Sequence, residues 1–364
     1  MSECVIVGGG IIGLAIAEEL AAQGIDAEVV EYQAAKHAAS WAAAGILPPP
    51  VTRAIHDPLE QIRNLSHRIY PDWCLRLATS ENPVVLRRCG GIYLARTPGE
   101  QVALAAALDQ WKTDGVRVDG WSLDELHHRE PKLGQFTADT RVYFLPDELE
   151  VRPTRILKAL RERLAQLKVP ITRSMEPIQW VDGREGSAVI VNGRELTASR
   201  FVLACGPWTP QLLIPFGVGL PIEPRRGQMV MWTLSAPALS SIVNEGPRYL
   251  VARTDGQLLA GSTVEDVGFQ DNTTTDKVDE LIRFARELMP GLSVQPDQTW
   301  AGLRPMPFDG LPYLGSVPGC EQVYVATGHF RSGIHLAPAT ARLIGQLIKN
   351  QPTDISLLPF SIDR

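Results

Sequence analysis

The first 31 residues restrict the fold more than any other stretch of the chain. Residues 5–13 read VIVGGGIIG, a short apolar strand running into a glycine turn; an Ala- and Leu-rich helix follows, then a second strand ending at Glu31. Strand, glycine turn, helix and strand in that order make a dinucleotide-binding βαβ unit. Gly8 permits the tight turn, Gly10 lets backbone approach a pyrophosphate, and Gly13 lets the helix pack against the strand. Glu31, 18 residues past Gly13, is placed to accept hydrogen bonds from ribose hydroxyls. The N–H groups at the helix start carry partial positive charge suited to phosphate. A structural βαβ turn without ligand is the plain alternative.

The 364 residues suffice for two domains, and 45% hydrophobic with 21% charged content is ordinary for a globular protein. With 35 basic against 41 acidic residues the net charge is -6, which offers no broad attraction for nucleic acid and points to a small-molecule partner. The first strand begins within a few residues of Met1, so no secretion signal is expected. No apolar run reaches the roughly 18 residues of a membrane span. Five cysteines, scattered and without a CxxC pair, argue against a disulfide framework and against zinc, and a cytoplasmic location is expected.

Beyond the first unit, residues 38–47 form a run of small side chains that lets backbone crowd a flat ligand; an Ala-rich helix start would read the same way. Periodicity predicts helices over 58–80, 98–112, 152–168, 276–289 and 333–349. Strands are expected at 89–96, as a pair over 171–198, and at 199–206, 222–232, 248–253, 258–264 and 323–327. The fold class is therefore α/β, with a second, antiparallel region and a chain that crosses between two interleaved domains.

Two arginines stand in glycine-containing bends, Arg304 in AGLRP and Arg331 in GHFRSG. A guanidinium grips a carboxylate bidentately, although each could equally be a structural or surface charge. Tyr249, at the start of an apolar strand, could donate to the same carboxylate or simply be a core tyrosine. No GxSxG, HExxH or P-loop is present, and the seven histidines show no ligand spacing apart from adjacent His127 and His128. No metal is expected, so redox chemistry would come from a bound cofactor.

Taken together, the N-terminal glycines, the SWAAAGI run from Ser40, ACGPW from Ala204, WAGLRP from Trp300, DGLPYLG from Asp309 and VATGHFRSGIHLAPAT from Val325 resemble the glycine oxidase branch of the D-amino-acid oxidase family. The resemblance spans nearly the whole chain. It implies a Rossmann-like FAD-binding domain (1–80, 146–219 and 300–364) interleaved with an α+β substrate domain built on an antiparallel sheet (81–145 and 220–299). It also implies noncovalent FAD. The ADP half would be held by Ile11, Ile12 and Glu31, with backbone near Pro177 on the adenine side, and the flavin edge lined by Ala39, Ser40, Ala44, Gly45 and Ile46. Gly206 and Trp208 fall in the matching ACGPW block. His329, Phe330, Ser332, Gly333, Ile334 and His335 would wrap the isoalloxazine, with the helix from Gly333 aimed at it.

By the same resemblance Arg304 and Tyr249 bind the substrate carboxylate, Arg331 sits beside flavin and substrate, and Val264 lies in the substrate wall. The implied reaction is oxidative deamination of glycine or a small glycine-like amine. Hydride passes to flavin N5, no side-chain acid or base is obligatory, and oxygen returns hydrogen peroxide; the family can feed thiamine thiazole synthesis and often forms homotetramers. Val264, Ile46 and His335 depart from the methionine, methionine and leucine of well-studied glycine oxidases. A small Val264 would open room for larger amines, and His335 would either tune the flavin or face the helix surface. A sarcosine or D-amino-acid oxidase, a dehydrogenase using another acceptor, an NAD-dependent enzyme and a silent flavin-binding protein remain alternatives. The covalent cysteine common in sarcosine oxidases has no counterpart at 300–306.

Overall fold

A computed structural model describes residues 2–32, 38–53, 55–183 and 186–364. Two sheets organise the chain. The first has six strands in the order Tyr313–Val317, Cys320–Thr327, Arg200–Leu203, Cys4–Val7, Ala27–Tyr32, Ile171–Ser174. All neighbours run parallel except the Tyr313–Val317 edge. Alternate side chains of each strand serve opposite faces. Cys4 and Ile6 join a core under the helices Ile11–Ala22, Pro153–Gln166 and Gly333–Ile348, whereas Val5 and Val7 join Phe201 and Leu203 against a three-stranded meander. A strand buried on both faces must be apolar throughout, which is what the sequence there supplies.

The second sheet has eight strands in the order Gln298–Pro307, Ile222–Thr233, Gln257–Gly261, Arg248–Ala252, Ile242–Glu245, Gly91–Ala95, Arg141–Leu145, Asp119–Gly120. It is antiparallel but for the parallel pairing of Ile242–Glu245 with Gly91–Ala95. One face carries Val230, Trp232, Leu250 and Ala260 into a core closed by Leu281, Phe284 and Leu288 of the helix Thr275–Leu288. The other face carries Met229, Tyr249, Val251 and Trp300 toward Ala42 and Ala44 of the first domain. That second face is the one that looks onto the site.

Two expectations need correction. Arg304 lies in no bend: Gln298–Pro307 is one continuous strand, its Pro305 and Pro307 tolerated because it is the sheet's edge. That strand pairs with Ile222–Thr233 in the second sheet. The region 171–198 is not a strand pair; Ile171–Ser174 completes the parallel sheet, and the meander Gln179–Gly183, Gly186–Val191 and Arg194–Thr197 follows.

Candidate active site

A cavity of about 1170 Å³ runs from the glycine turn to the face of the second sheet. It opens at the carboxyl ends of the parallel strands, where Gly8 and Ala204 succeed two of them and Thr327 ends a third, the position at which open α/β sheets bind ligands. Its volume exceeds the roughly 300–1,000 Å³ of a pocket for a single drug-sized molecule, leaving room for a dinucleotide and a small substrate together.

At the glycine end the chain is stripped of bulk where backbone comes close. Gly8 has φ +126, and a β-carbon on it would collide with the Ala204 carbonyl; one on Gly13 would collide with the Gly8 carbonyl. The helix Ile11–Ala22 starts from Gly10 with no side-chain cap on that residue and no acid in its first turn. Ser40 Oγ, from the short helix Ala39–Ala42, accepts the Ile11 N–H at 3.0 Å. Glu31 lines the same end, gripped by Arg161 (2.7 and 3.1 Å) and Arg173 (3.0 Å). Burial alone would raise its pKa; the hydrogen bonds and charges of Arg161 and Arg173 outweigh that and hold it below the usual carboxylate range. Of about four acceptor positions on an ionised carboxylate, three are taken, which leaves one on Oε2 for a hydroxyl.

The middle of the cavity is walled by Ala39, Ala44, Gly45 and Ile46 on one side, and by residues 329–335 on the other. Gly45, at φ +83, accepts the Val151 N–H at 2.9 Å and fits only without a side chain. Phe330 takes φ +44 and donates its N–H to the Pro305 carbonyl at 3.0 Å, which ties this loop to the strand bearing Arg304. His329 is buried, its Nε2 3.0 Å from Thr340 Oγ1, and burial pushes its pKa down to about 3. The helix Gly333–Ile348 also begins without an acid in its first turn, so its positive end is left for an electron-rich group. His335 does not face a helix surface: it is buried edge-on against His67, ring centres 4.6 Å apart, and desolvation keeps it neutral. Neither of its ring nitrogens has a hydrogen-bond partner among the described residues.

At the far end, cross-strand register puts Trp300, Gly302 and Arg304 on one face with Met229 and Gly227. The Arg304 side chain packs against bare Gly227 and donates to the Thr263 carbonyl (3.0 Å) and Ser262 Oγ (2.8 Å). It makes no ion pair among the described residues, and burial lowers its pKa below the ordinary guanidinium value, with Arg331 adding to the effect and Tyr249 and Glu265 opposing it. Tyr249 lies beside it, its hydroxyl bonded among the described residues only to Met229 Sδ at 3.4 Å. Arg331 is exposed at the rim, donating to the Pro247 carbonyl at 3.3 Å.

Nearly all the expected site residues line this one cavity, including Ile12, Pro177, Gly206, Trp208, Ser332, Gly333 and Ile334. Two do not. Gly13 acts one layer behind, in helix packing. Val264 is exposed outside the lining, because its strand stops at Gly261 and Ser262 takes the wall position. Arg161 and Arg173 around Glu31, and Tyr93, Asn244, Gly227 and Ser262 at the Arg304 end, were not visible in the sequence pattern; each arrives through pairing with distant strands or helices. No cluster that could hold a metal occurs among the described residues, and none of their helices is long and apolar enough to cross a membrane.

A family model for FAD dependent oxidoreductases, DAO, matches residues 3–347. The chain belongs to the DAO family. This DAO-family member is similar to the glycine oxidase of Pseudomonas aeruginosa, 34% identical over 99% of both chains. It also resembles the Bifunctional protein ThiO/ThiG of Nostoc, 32% identical, of which it spans 55%. Among solved structures, glycine oxidase from Geobacillus kaustophilus superposes with a TM-score of 0.91 at 29% identity, over 100% of this chain and 98% of that one. The DAO-family chain is thus an FAD-dependent amino-acid or amine oxidase.

The residues present fit that cofactor. The glycine cradle would collide with added β-carbons, two helix starts without an acid in their first turn face the cavity, and Glu31 lines its glycine end with an acceptor position free. Cys205 lines the cavity, but burial lifts its thiol to about 12 and it donates to the Val7 carbonyl, so it offers no thiolate for attachment.

Proposed function

We propose that the protein oxidises glycine or a small glycine-like amine, such as sarcosine, another N-alkylglycine or a small D-amino acid. The observation that carries this reading is Arg304: a cavity-facing guanidinium without a carboxylate, on the sheet face opposite the cofactor cradle. A desolvated cation of that kind gains most from a ligand that brings its own carboxylate. Tyr249 adds a second donor, since the methionine sulfur it now touches is a weak acceptor that a carboxylate oxygen displaces.

Bound FAD supplies the two-electron acceptor. The chain's own part is to hold the carboxylate at Arg304 and Tyr249, so that the α-carbon C–H lies over the cofactor; this is catalysis by orientation. Gly8, Gly10, Ile11, Ile12, Glu31 and Pro177 would hold the ADP half, and Ser40, Gly45, Ile46 and residues 329–335 the flavin. Burial holds His329 and His335 far below the ordinary imidazole pKa, which makes them poor proton acceptors, and Glu31 stands at the glycine end, so none of them is suited to take a proton from the reacting amine. Amine, oxygen and water give 2-oxo acid, ammonia or a free amine, and hydrogen peroxide. Five unpaired cysteines suit a reducing cytoplasmic setting.

The test is to follow flavin bleaching under nitrogen and peroxide release in air with glycine, sarcosine, N-alkylglycines, D-alanine and D-proline. Bleaching with peroxide supports the oxidase reading. Bleaching without peroxide identifies a dehydrogenase, and no bleaching by any of these sinks the proposal.

A further inference from the structure

The Arg304 end of the cavity contains a second polar element. Asn244 stands opposite Tyr249 on one neighbouring strand and opposite Tyr93 on the other, so the three side chains form a row across the sheet, and all three line the cavity. Neighbouring strands lie about 4.8 Å apart, which puts Asn244 one strand beyond Tyr249 and Tyr93 two. Glu148 lies behind this row, 0% exposed. Its carboxylate accepts from Tyr93 Oη at 2.6 Å and from Asn244 Nδ2 at 3.2 Å. No arginine, lysine or histidine pairs with it among the described residues. Gly91 makes room for it, since a β-carbon there would collide with Glu148 Oε1.

A buried carboxylate with no counter-cation is costly to keep. What it does is fix the direction of hydrogen bonds. Ionised, as it is above about pH 7, the Glu148 carboxylate only accepts, so Tyr93 must give it the hydroxyl proton and Asn244 an N–H. The groups left for the cavity are then the Asn244 carbonyl oxygen and the lone pairs of Tyr93. Arg304 presents only donors. The end of the cavity is thereby polarised, with donors on one side and acceptors on the other, as an α-amino acid is.

We propose that Glu148, acting through Tyr93 and Asn244, sets an acceptor face that receives the substrate's amino nitrogen while Arg304 holds its carboxylate. This rests on the amino-acid oxidase reading above and adds the orientation of the amine. An acceptor takes an N–H and leaves the nitrogen lone pair free to form the C=N bond as hydride leaves the α-carbon. A donor at that position would tie up the lone pair. Glu148 is a positioning residue, since it touches no substrate itself.

Glu148→Gln in the FAD-loaded enzyme, compared with wild type at pH 8 to 8.5 where Glu148 is ionised, tests this. The new amide can donate to Asn244, which then turns its own N–H toward the cavity. Two ligands are compared: acetate, which has the carboxylate alone, by its perturbation of the flavin spectrum, and glycine or the best amine found, by its KM and by anaerobic flavin reduction. The expected result is a KM raised at least tenfold with acetate affinity within twofold of wild type. Asn244→Leu, which leaves Glu148 in place, should reproduce the split. Loss of acetate and amine in parallel, or no change in either, overturns the proposal. A wild-type enzyme that neither binds acetate nor is reduced by any amino acid instead overturns the oxidase reading.

Discussion

The guanidinium of Arg304 occupies the space that a β-carbon on Gly227 would need. The two residues sit on paired strands, Gly227 opposite Gly302, so the glycines leave a bare patch beside the guanidinium. Gly227→Ala should push the flexible arginine head aside and leave the backbone where it is. We expect kcat/KM for the amino acid to fall roughly tenfold to a hundredfold, while the unfolding free energy from urea denaturation changes by less than about 1 kcal/mol. An unchanged kcat/KM would show that Arg304 does not grip the substrate from this position.

Removing the guanidinium should separate cofactor from substrate. Arg304 lies at the end of the cavity away from Gly8 and Glu31, so Arg304→Ala should purify yellow with FAD in place. Loss of a charge-assisted, partly desolvated pair costs about 3 kcal/mol, or roughly a hundredfold in kcat/KM. Arg304→Lys should recover part of this and no more, because an ammonium is a point charge without the planar fork. Steady-state kinetics on one amine, with flavin content measured in parallel, decide the matter.

What could be read in the sequence was local. The glycines at 8, 10 and 13, the acid at 31 and the loop at 328–333 each report on residues within a few turns of chain. Arg304 was recognised for its chemistry but placed in a bend, because Gly302 and Pro305 look like turn residues; on an edge strand a proline loses no ladder bond. The family resemblance puts Val264 in the wall, whereas the strand ends at Gly261 and Glu265 bridges to Arg226 instead. Tyr93, Asn244 and Glu148 carried no signal. They are separated by 55 and 96 residues and meet only through strand register, which a pattern of residue types does not specify.

Glu148 should also leave a mark on stability. Burial raises its pKa from 4.5 to about 7, with the bonds from Tyr93 and Asn244 only partly opposing. Between those values the folded protein keeps a proton that the unfolded chain has released. Stability from this group is therefore greatest below about pH 4.5 and falls as pH rises to about 7, by at most about 3 kcal/mol. Glu148→Gln abolishes the titration. The difference in unfolding free energy between variant and wild type should shift in the variant's favour from pH 5 to pH 7.5, other groups cancelling. A constant difference would mean that Glu148 titrates normally.

Gly24 and Gly45 share φ +83 but differ in what surrounds them. Nothing lies within 4 Å of a β-carbon built on Gly24, whereas one on Gly45 would run into the Val151 carbonyl and the ring of Pro153. Left-handed backbone costs a non-glycine residue roughly 1–2 kcal/mol wherever it occurs. Gly24→Ala should lose about that much and bind FAD as before. Gly45→Ala adds a clash with backbone that cannot rotate away, and it must break the bond from the Val151 N–H to the Gly45 carbonyl or shift the cavity wall. It should lose clearly more stability than Gly24→Ala and weaken FAD binding, because Gly45 lines the cavity. Urea denaturation of the two variants with FAD titration of each apoprotein tests both points; equal losses, or wild-type flavin affinity at Gly45→Ala, would remove Gly45 from the cofactor wall.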